Sequence, residues 1–293
     1  MSLLKRRLYR KLVPKIFRGD YLFTSLKQDI IDYYSSLPDA TAEQISIVRY
    51  LRANPITVYP YAFQEKYAPA DVSVYTDDAS GLKYVLEDGK RLYFKRRFRE
   101  ADIRRYYSGL QKEQDPDSPH RYLSEAFSVE DGDVVADVGV AEGNFSLSVI
   151  EKAGRLILFE TDDEWIEALQ ATFEPWKEKV RIVKRRVSDR NDSENTTLDE
   201  YFKTDRIDFL KVDIDGAESA LLKGSEKILN NVSRIALCVY HKQDDERDFS
   251  VLLEDKGFEV SLTKGYMIYI FDKKLDVPYL RRGLIRAFKA GGS

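Results

Sequence analysis

The alternation of apolar and polar positions changes rhythm near residue 131. Before it, residues 20–69 are spaced like amphipathic helices, with Ile30, Ile31, Tyr34 and Leu37 on one face and Ile45, Val48 and Leu51 on another. Residues 82–87 and 90–94 read as strands joined by Asp88-Gly89, a pair suited to a two-residue type I′ turn, and residues 72–75 suggest a third strand. Helical spacing returns over residues 100–114 and is broken by Asp115-Pro116-Asp117-Ser118-Pro119. This divides the chain into a helical and hairpin cap, residues 1–120, and a main domain, residues 121–293.

Beyond Asp131-Gly132, short apolar runs alternate with helical stretches, the mark of a parallel sheet covered by helices on both faces. Strands are predicted at residues 133–138, 155–160, 180–187, 208–213 and 234–240. Two further runs, 259–263 and 266–271 around Lys264-Gly265, predict a terminal antiparallel hairpin. The expected fold is α/β and Rossmann-like: a doubly wound, mostly parallel sheet with an N-terminal extension. Asp215, with Glu218 three residues on, is expected to cap a helix over residues 216–229.

Composition narrows the class. The 293 residues are 43% hydrophobic and 33% charged, with no apolar run long enough to span a membrane. The start of the chain lacks the pattern of a secretory signal, and the single cysteine, Cys238, excludes an intramolecular disulfide, so the cytoplasm is the expected compartment. A net charge of -3 argues against bulk attraction to nucleic acid. Both ends are basic, however. Leu4, Leu8, Leu12 and Ile16, and likewise Leu280, Leu284 and Phe288, recur at four-residue spacing among lysines and arginines. Each end fits a short amphipathic helix, either packed on the body or lying on the inner surface of an anionic membrane.

The first strand of the main domain runs into Asp137-Val138-Gly139-Val140-Ala141-Glu142-Gly143-Asn144-Phe145 and then a helix. In a doubly wound sheet ligands sit at the carboxyl ends of the strands, and Gly139 and Gly143 would let the backbone approach one closely. Glu160 ends the second strand, where an acid accepts hydrogen bonds from ribose hydroxyls. The loop lacks the three glycines of a pyrophosphate site, and Glu142 would repel a pyrophosphate. An acidic loop suits S-adenosylmethionine, whose sulfonium and ammonium groups are cationic.

At this point the chain resembles the FkbM-type methyltransferases. The resemblance rests on residues 135–147, on Phe159-Glu160, on Thr197-Leu198-Asp199-Glu200-Tyr201 and, most specifically, on Leu210-Lys211-Val212-Asp213-Ile214-Asp215-Gly216-Ala217-Glu218. It covers residues 130–272. It implies S-adenosylmethionine-dependent O-methylation of a sugar, glycan or secondary-metabolite acceptor. Carried over by position, Asp137, Gly139, Glu142, Gly143, Asn144 and Phe145 would line the methionine part of the cofactor. Glu160 and Thr161 would meet the ribose, Ser188 and Asp189 the adenine, and Asp213 the sulfonium. The chain departs from the family at Thr161-Asp162-Asp163, where a proline is frequent, and at Ile214-Asp215, where valine-glutamate is common.

Asp213, Asp215 and Glu218 bring three acids to one strand end. They repel one another unless a proton, an amine or a cation intervenes, so Mg²⁺ is a candidate that would lower the pKa of an acceptor hydroxyl. Of the two histidines, His241 ends the fifth strand beside Asp213, and His120 stands at the entrance to the main domain. A base contributes about 10² to 10⁴ in rate, and Asp213 or His241 is the candidate, with Glu218 as orienting group or metal ligand. The chain has no Asp/Asn-Pro-Pro-aromatic or Pro-Cys motif for methylating a nucleic-acid base. A non-catalytic cofactor-binding or scaffolding protein of the same fold, and a nicotinamide-dependent oxidoreductase, are the rival readings.

Overall fold

The computed structural model describes residues 15–272 and 275–289. The core is a seven-stranded sheet whose centre reads as unbroken apolar runs because both faces are covered. Its strands are β4 (Val134–Val138), β5 (Arg155–Phe159), β6 (Val180–Val183), β9 (Ile207–Val212), β10 (Val232–Cys238), β11 (Phe258–Leu262) and β12 (Leu284–Lys289). Their order is β11-β12-β10-β9-β4-β5-β6, parallel except for β12, which is antiparallel to both neighbours. The chain winds outward from β4 to β6 and then returns to β9 beside β4. This reversal opens a crevice at the carboxyl ends of β4 and β9.

One face of the sheet and the cap share a core containing Phe94, Ile103, Phe145, Trp165 and Phe209, and the other face buries Val138, Leu210, Leu222 and Phe249. In the cap, the hairpin of β2 (Lys83–Glu87) and β3 (Lys90–Tyr93) carries the short edge strand β1 (Tyr75–Thr76). Helix α3 (Glu100–Glu113) follows the hairpin. Helices α1 (Lys15–Ser36) and α2 (Ala42–Ala53) pack instead on the β11–β12 connection, through Ile30, Ile47 and Leu51 against Ile268, Tyr279 and Leu280.

Four local expectations are corrected. The partner of β11 is β12, not residues 266–271, which run through the α1–α2 interface with Ile268 fully buried. Leu284 and Phe288 therefore lie in a strand, and the C-terminal basic helix, with its membrane contact, does not form. Arg286 mimicked a solvated helix face, but its guanidinium donates to the carbonyls of Arg121, Tyr122 and Leu123. The N-terminal basic segment, residues 1–14, lies outside the described residues. The expected strand over 180–187 breaks after Val183, and Arg186–Val187 (β7) pairs with Asn195–Thr196 (β8) in a separate small sheet.

The helix expected over 216–229 is the short α7 (Glu218–Lys223), followed by a 3₁₀ turn at Ile228–Asn231. It ends at Gly224, where a Cβ would come within 2.0 Å of the Ser188 carbonyl oxygen. Asp215 does not cap it: the N-cap is Ala217, with no side-chain cap, and Asp215 has φ of 52°. The third strand expected at 72–75 is displaced to Tyr75–Thr76. No helix among the described residues is long and apolar enough to cross a membrane.

Candidate active site

A cavity of about 460 Å³ lies at the β4–β9 crevice. Val138, Gly139, Ala141, Phe159, Glu160, Thr161, Asp162, Trp165, Arg185, Arg186, Val187, Asp213, Ile214, Asp215 and Ala217 line it. It is within the ordinary range for a small-molecule site. The loop after β4 bends through positive φ at Gly139, Ala141 and Gly143. At Gly139 a side chain is excluded outright, since a Cβ would sit 1.8 Å from the carbonyl oxygen of Asp213.

Beneath the loop lies a buried ion pair. Lys211 Nζ is 2.9 Å from Asp137 Oδ1 and donates to the Gly139 carbonyl oxygen at 2.6 Å, and Ser146 Oγ donates to Asp137 Oδ2 at 2.7 Å. Burial works against the Lys211 charge, yet Asp137 and Asp213 more than offset it and hold the ammonium protonated. Asp137 thus sits under the cavity and fixes the loop rather than lining it. Asn144 and Phe145 open the short helix α4 (Asn144–Val149) and are buried, while Gly143 packs against Leu169 and Phe173. Glu142 is buried too, accepting a hydrogen bond from Tyr106 of α3 at 2.8 Å, and burial pushes its carboxyl up to about 7.

Glu160 is pinned at the cavity edge. Its carboxylate accepts from the backbone N–H of Ala141 at 3.0 Å, Thr161 at 2.6 Å and Asp162 at 2.8 Å. Asp162 caps α5 (Asp163–Phe173) and is gripped by Lys95 at 2.5 Å, whose ammonium also lies over the Trp165 ring. The cap thereby holds one wall of the cavity. Ser188 is buried and Asp189 exposed just beyond Val187, and neither lines the cavity, whereas Arg185 and Arg186 do.

Asp213 is the most heavily partnered group. Tyr122 donates to Oδ2 at 2.8 Å and Tyr240 to Oδ1 at 3.1 Å, while His120 Nε2 lies 3.4 Å from Oδ2 and His241 Nε2 3.6 Å from Oδ1. Burial opposes its charge, but His120, Lys211 and His241 hold the carboxyl well below the usual range. Glu218 and His241 lie behind it, with Nδ1 2.9 Å from Glu218 Oε1, and that same oxygen accepts the Ile214 N–H at 3.1 Å. Burial pulls the His241 pKa down, and Glu218 with Asp213 raises it above the ordinary histidine value.

Asp213 and Glu218 therefore meet at His241, while Asp215, 95% exposed in its side chain, approaches the ring from the cavity. Sequence reasoning missed Lys211, Tyr122, Tyr240, Asp162 and Arg186. Lys211 left a signal, since a lysine inside a fully apolar strand needs a buried anion. Tyr122 left none, because only the fold carries residues 118–124 to Asp213.

A family model described as the methyltransferase FkbM domain matches residues 100–260, just over half of the chain. The chain belongs to the FkbM methyltransferase family. The family region begins at α3, so the helix that supplies Tyr106 is part of it. No curated protein matches the chain by sequence. Among solved structures it is similar to methyltransferase FkbM from Methylobacillus flagellatus, with a TM-score of 0.46 and 14% identity over 64% of this chain and 53% of that one. It thus spans about half the length of that FkbM protein. It is also similar to an rRNA methylase from Streptococcus thermophilus, with a TM-score of 0.40 and 14% identity over 55% and 89% of the two chains. For precorrin-6y C5,15-methyltransferase from Geobacter metallireducens the TM-score is 0.38, with 14% identity over 55% and 82%.

Proposed function

We propose that this FkbM-family protein uses S-adenosylmethionine to methylate a hydroxyl of a small-molecule acceptor, a sugar, glycan or secondary metabolite. The observation that carries the reading is the cavity at the sheet's reversal point, bordered by Glu160 at one end and Asp213 at the other. The residues present fit that cofactor. Glu160 would take the ribose hydroxyls and Arg185 to Val187 would border the adenine. The Gly139–Ala141 backbone and Asp213 would flank the sulfonium end, where anionic charge is favourable. When bound, the cofactor supplies an electrophilic methyl group.

The chain's own residues then position the acceptor. Alignment of the attacking oxygen is the main task, and proximity of this kind reaches effective molarities of about 10⁵ to 10⁸ M. Asp213, kept ionised and clamped by two tyrosines, presents a fixed anion to the acceptor hydroxyl. His241 Nε2 stands next to it, and Glu218 sets the ring. Tyr106, Tyr122 and Tyr269 add aromatic surface around this end, consistent with a sugar or ring acceptor. The net charge of -3 and the acids at the cavity disfavour a polyanionic acceptor.

Two measurements test this. Calorimetric titration with S-adenosylhomocysteine should show one site, weakened in Glu160→Gln. Labelled methyl groups should pass to a hydroxyl acceptor in a screen of sugars, lipid-linked glycans and phenols. No binding of S-adenosylhomocysteine, saturable binding of NAD in its place, or label entering RNA would refute the reading.

A further inference from the structure

We propose that Asp213, Asp215 and the Nε2 of His241 form a site for a divalent transition cation of the manganese, iron or zinc class, with Glu218 orienting the histidine from behind. The proposal deepens the role of His241 but does not depend on methyl transfer.

The histidine is the starting point. His241 is 5% exposed and Glu218 fully buried, and the two meet through Nδ1 and Oε1 at 2.9 Å. A carboxylate at that distance draws the ring proton to Nδ1, which leaves Nε2 with its lone pair. Nε2 is sealed from solvent and has no hydrogen-bond partner. The atoms nearest to it among the acids are Asp213 Oδ1 at 3.6 Å and Asp215 Oδ1 at 3.7 Å. Three lone-pair atoms thus converge with no hydrogen to share among them. Two of them belong to carboxylates.

Such an arrangement is costly without a cation. Ligand atoms about 2.0 to 2.2 Å from a metal and about 90° to 120° apart lie roughly 2.9 to 3.8 Å from one another, so the observed separations already match the edges of a coordination sphere. The Glu218–His241 contact is the carboxylate–histidine support typical of metal-bound imidazoles. A free base would need only the Nε2 lone pair and would give Asp215 no part. The oxygen-only set expected from the sequence also changes: Glu218 lies on the far side of the ring, and His241 takes its place. One imidazole with two carboxylates suits manganese, iron(II) or zinc better than magnesium, which prefers oxygen and retains its waters. Asp213 and Asp215 both line the cavity, so the remaining positions would open towards it. An acceptor presenting two adjacent oxygens, a vicinal diol or a hydroxy-carbonyl, would fill them.

The test is Mn²⁺ binding by the full chain after chelator treatment, followed through loss of the free-ion electron paramagnetic resonance signal at pH 7.5. One equivalent should bind in the micromolar range. Glu218→Gln should weaken it about 10- to 100-fold, as expected for an outer-shell partner. His241→Ala should weaken it more. Because Asp215 is exposed, Asp215→Asn will fold normally and should still cost at least tenfold. Absence of binding up to about 1 mM Mn²⁺, or unchanged affinity in Asp215→Asn, would overturn the site. S-adenosylhomocysteine titration of the same metal-free protein keeps this result separate from the cofactor reading, since that binding should persist without the metal.

Discussion

Replacing Lys211 by methionine removes one positive charge from beneath the cavity while keeping a side chain of similar length. Lys211 is 3% exposed, pairs with Asp137 at 2.9 Å and satisfies the Gly139 carbonyl at 2.6 Å. Breaking a buried ion pair by deleting one partner costs about 3 to 5 kcal/mol, and an orphaned carbonyl about 1 to 3 kcal/mol. The two losses overlap, so a net destabilisation of about 4 kcal/mol is expected at neutral pH. That is a large share of the roughly 5 to 15 kcal/mol available to a folded domain.

The pH dependence has a definite sign. Without its partner, Asp137 becomes a buried acid with a raised pKa, so its penalty is absent below the unfolded carboxyl pKa and grows as pH rises through the folded one. Urea denaturation should therefore show a wider gap from wild type at pH 7.5 than at pH 5. The double variant Lys211→Met, Asp137→Asn carries neither charge and should recover most of the loss. A single variant within about 1 kcal/mol of wild type at pH 7.5, or a double variant as damaged as the single, would refute the account of the loop's foundation.

Three further outcomes follow from the same geometry. Gly139→Ala must push a Cβ against the Asp213 carbonyl at 1.8 Å from a backbone with φ of 79°; a loss above about 3 kcal/mol, read from thermal unfolding, is expected together with loss of S-adenosylhomocysteine binding. Glu142, pushed up to about 7 by burial, favours folding below the unfolded carboxyl pKa and loses that contribution as pH rises to about 7. Glu142→Gln should therefore gain on wild type in melting temperature between about pH 4.5 and 7, by at most on the order of 3 kcal/mol, and level off above; a pH-independent difference would show that Glu142 is not held in a raised state. Glu160→Gln should lower S-adenosylhomocysteine affinity by about 1.5 to 3 kcal/mol, roughly 10- to 100-fold, with little change in melting temperature, and equal affinity would remove Glu160 from the site.

Much of the architecture was legible because its signals are local. Four of the five parallel strands and the Asp88-Gly89 hairpin follow from apolar runs and turn chemistry within a few residues. The ends were not legible. Residues 266–271 and 284–289 are both apolar runs following Phe258–Leu262, and which of them pairs with it depends on the opposite faces each can cover. Ile268 is needed against α1 and α2, and Ala287 and Ile285 against the sheet's second core. Arg286 looked like a solvent residue until three carbonyls of residues 121–123 came within its reach.

The sequence by itself determined that an apolar strand ends in a glycine loop, that an acid closes the next strand, and that acids gather after Val212. These are properties of neighbours along the chain, set by strand period and turn geometry. Only the tertiary structure decided which groups meet. It placed Asp137 under the loop with Lys211 instead of in the cavity, set Tyr122 and Tyr240 on Asp213, and put Glu218 and Asp215 on opposite nitrogens of His241. The reason is physical: a charge taken out of water must find partners in three dimensions, and those partners come from segments far apart in sequence that the sheet's winding brings to the same edge.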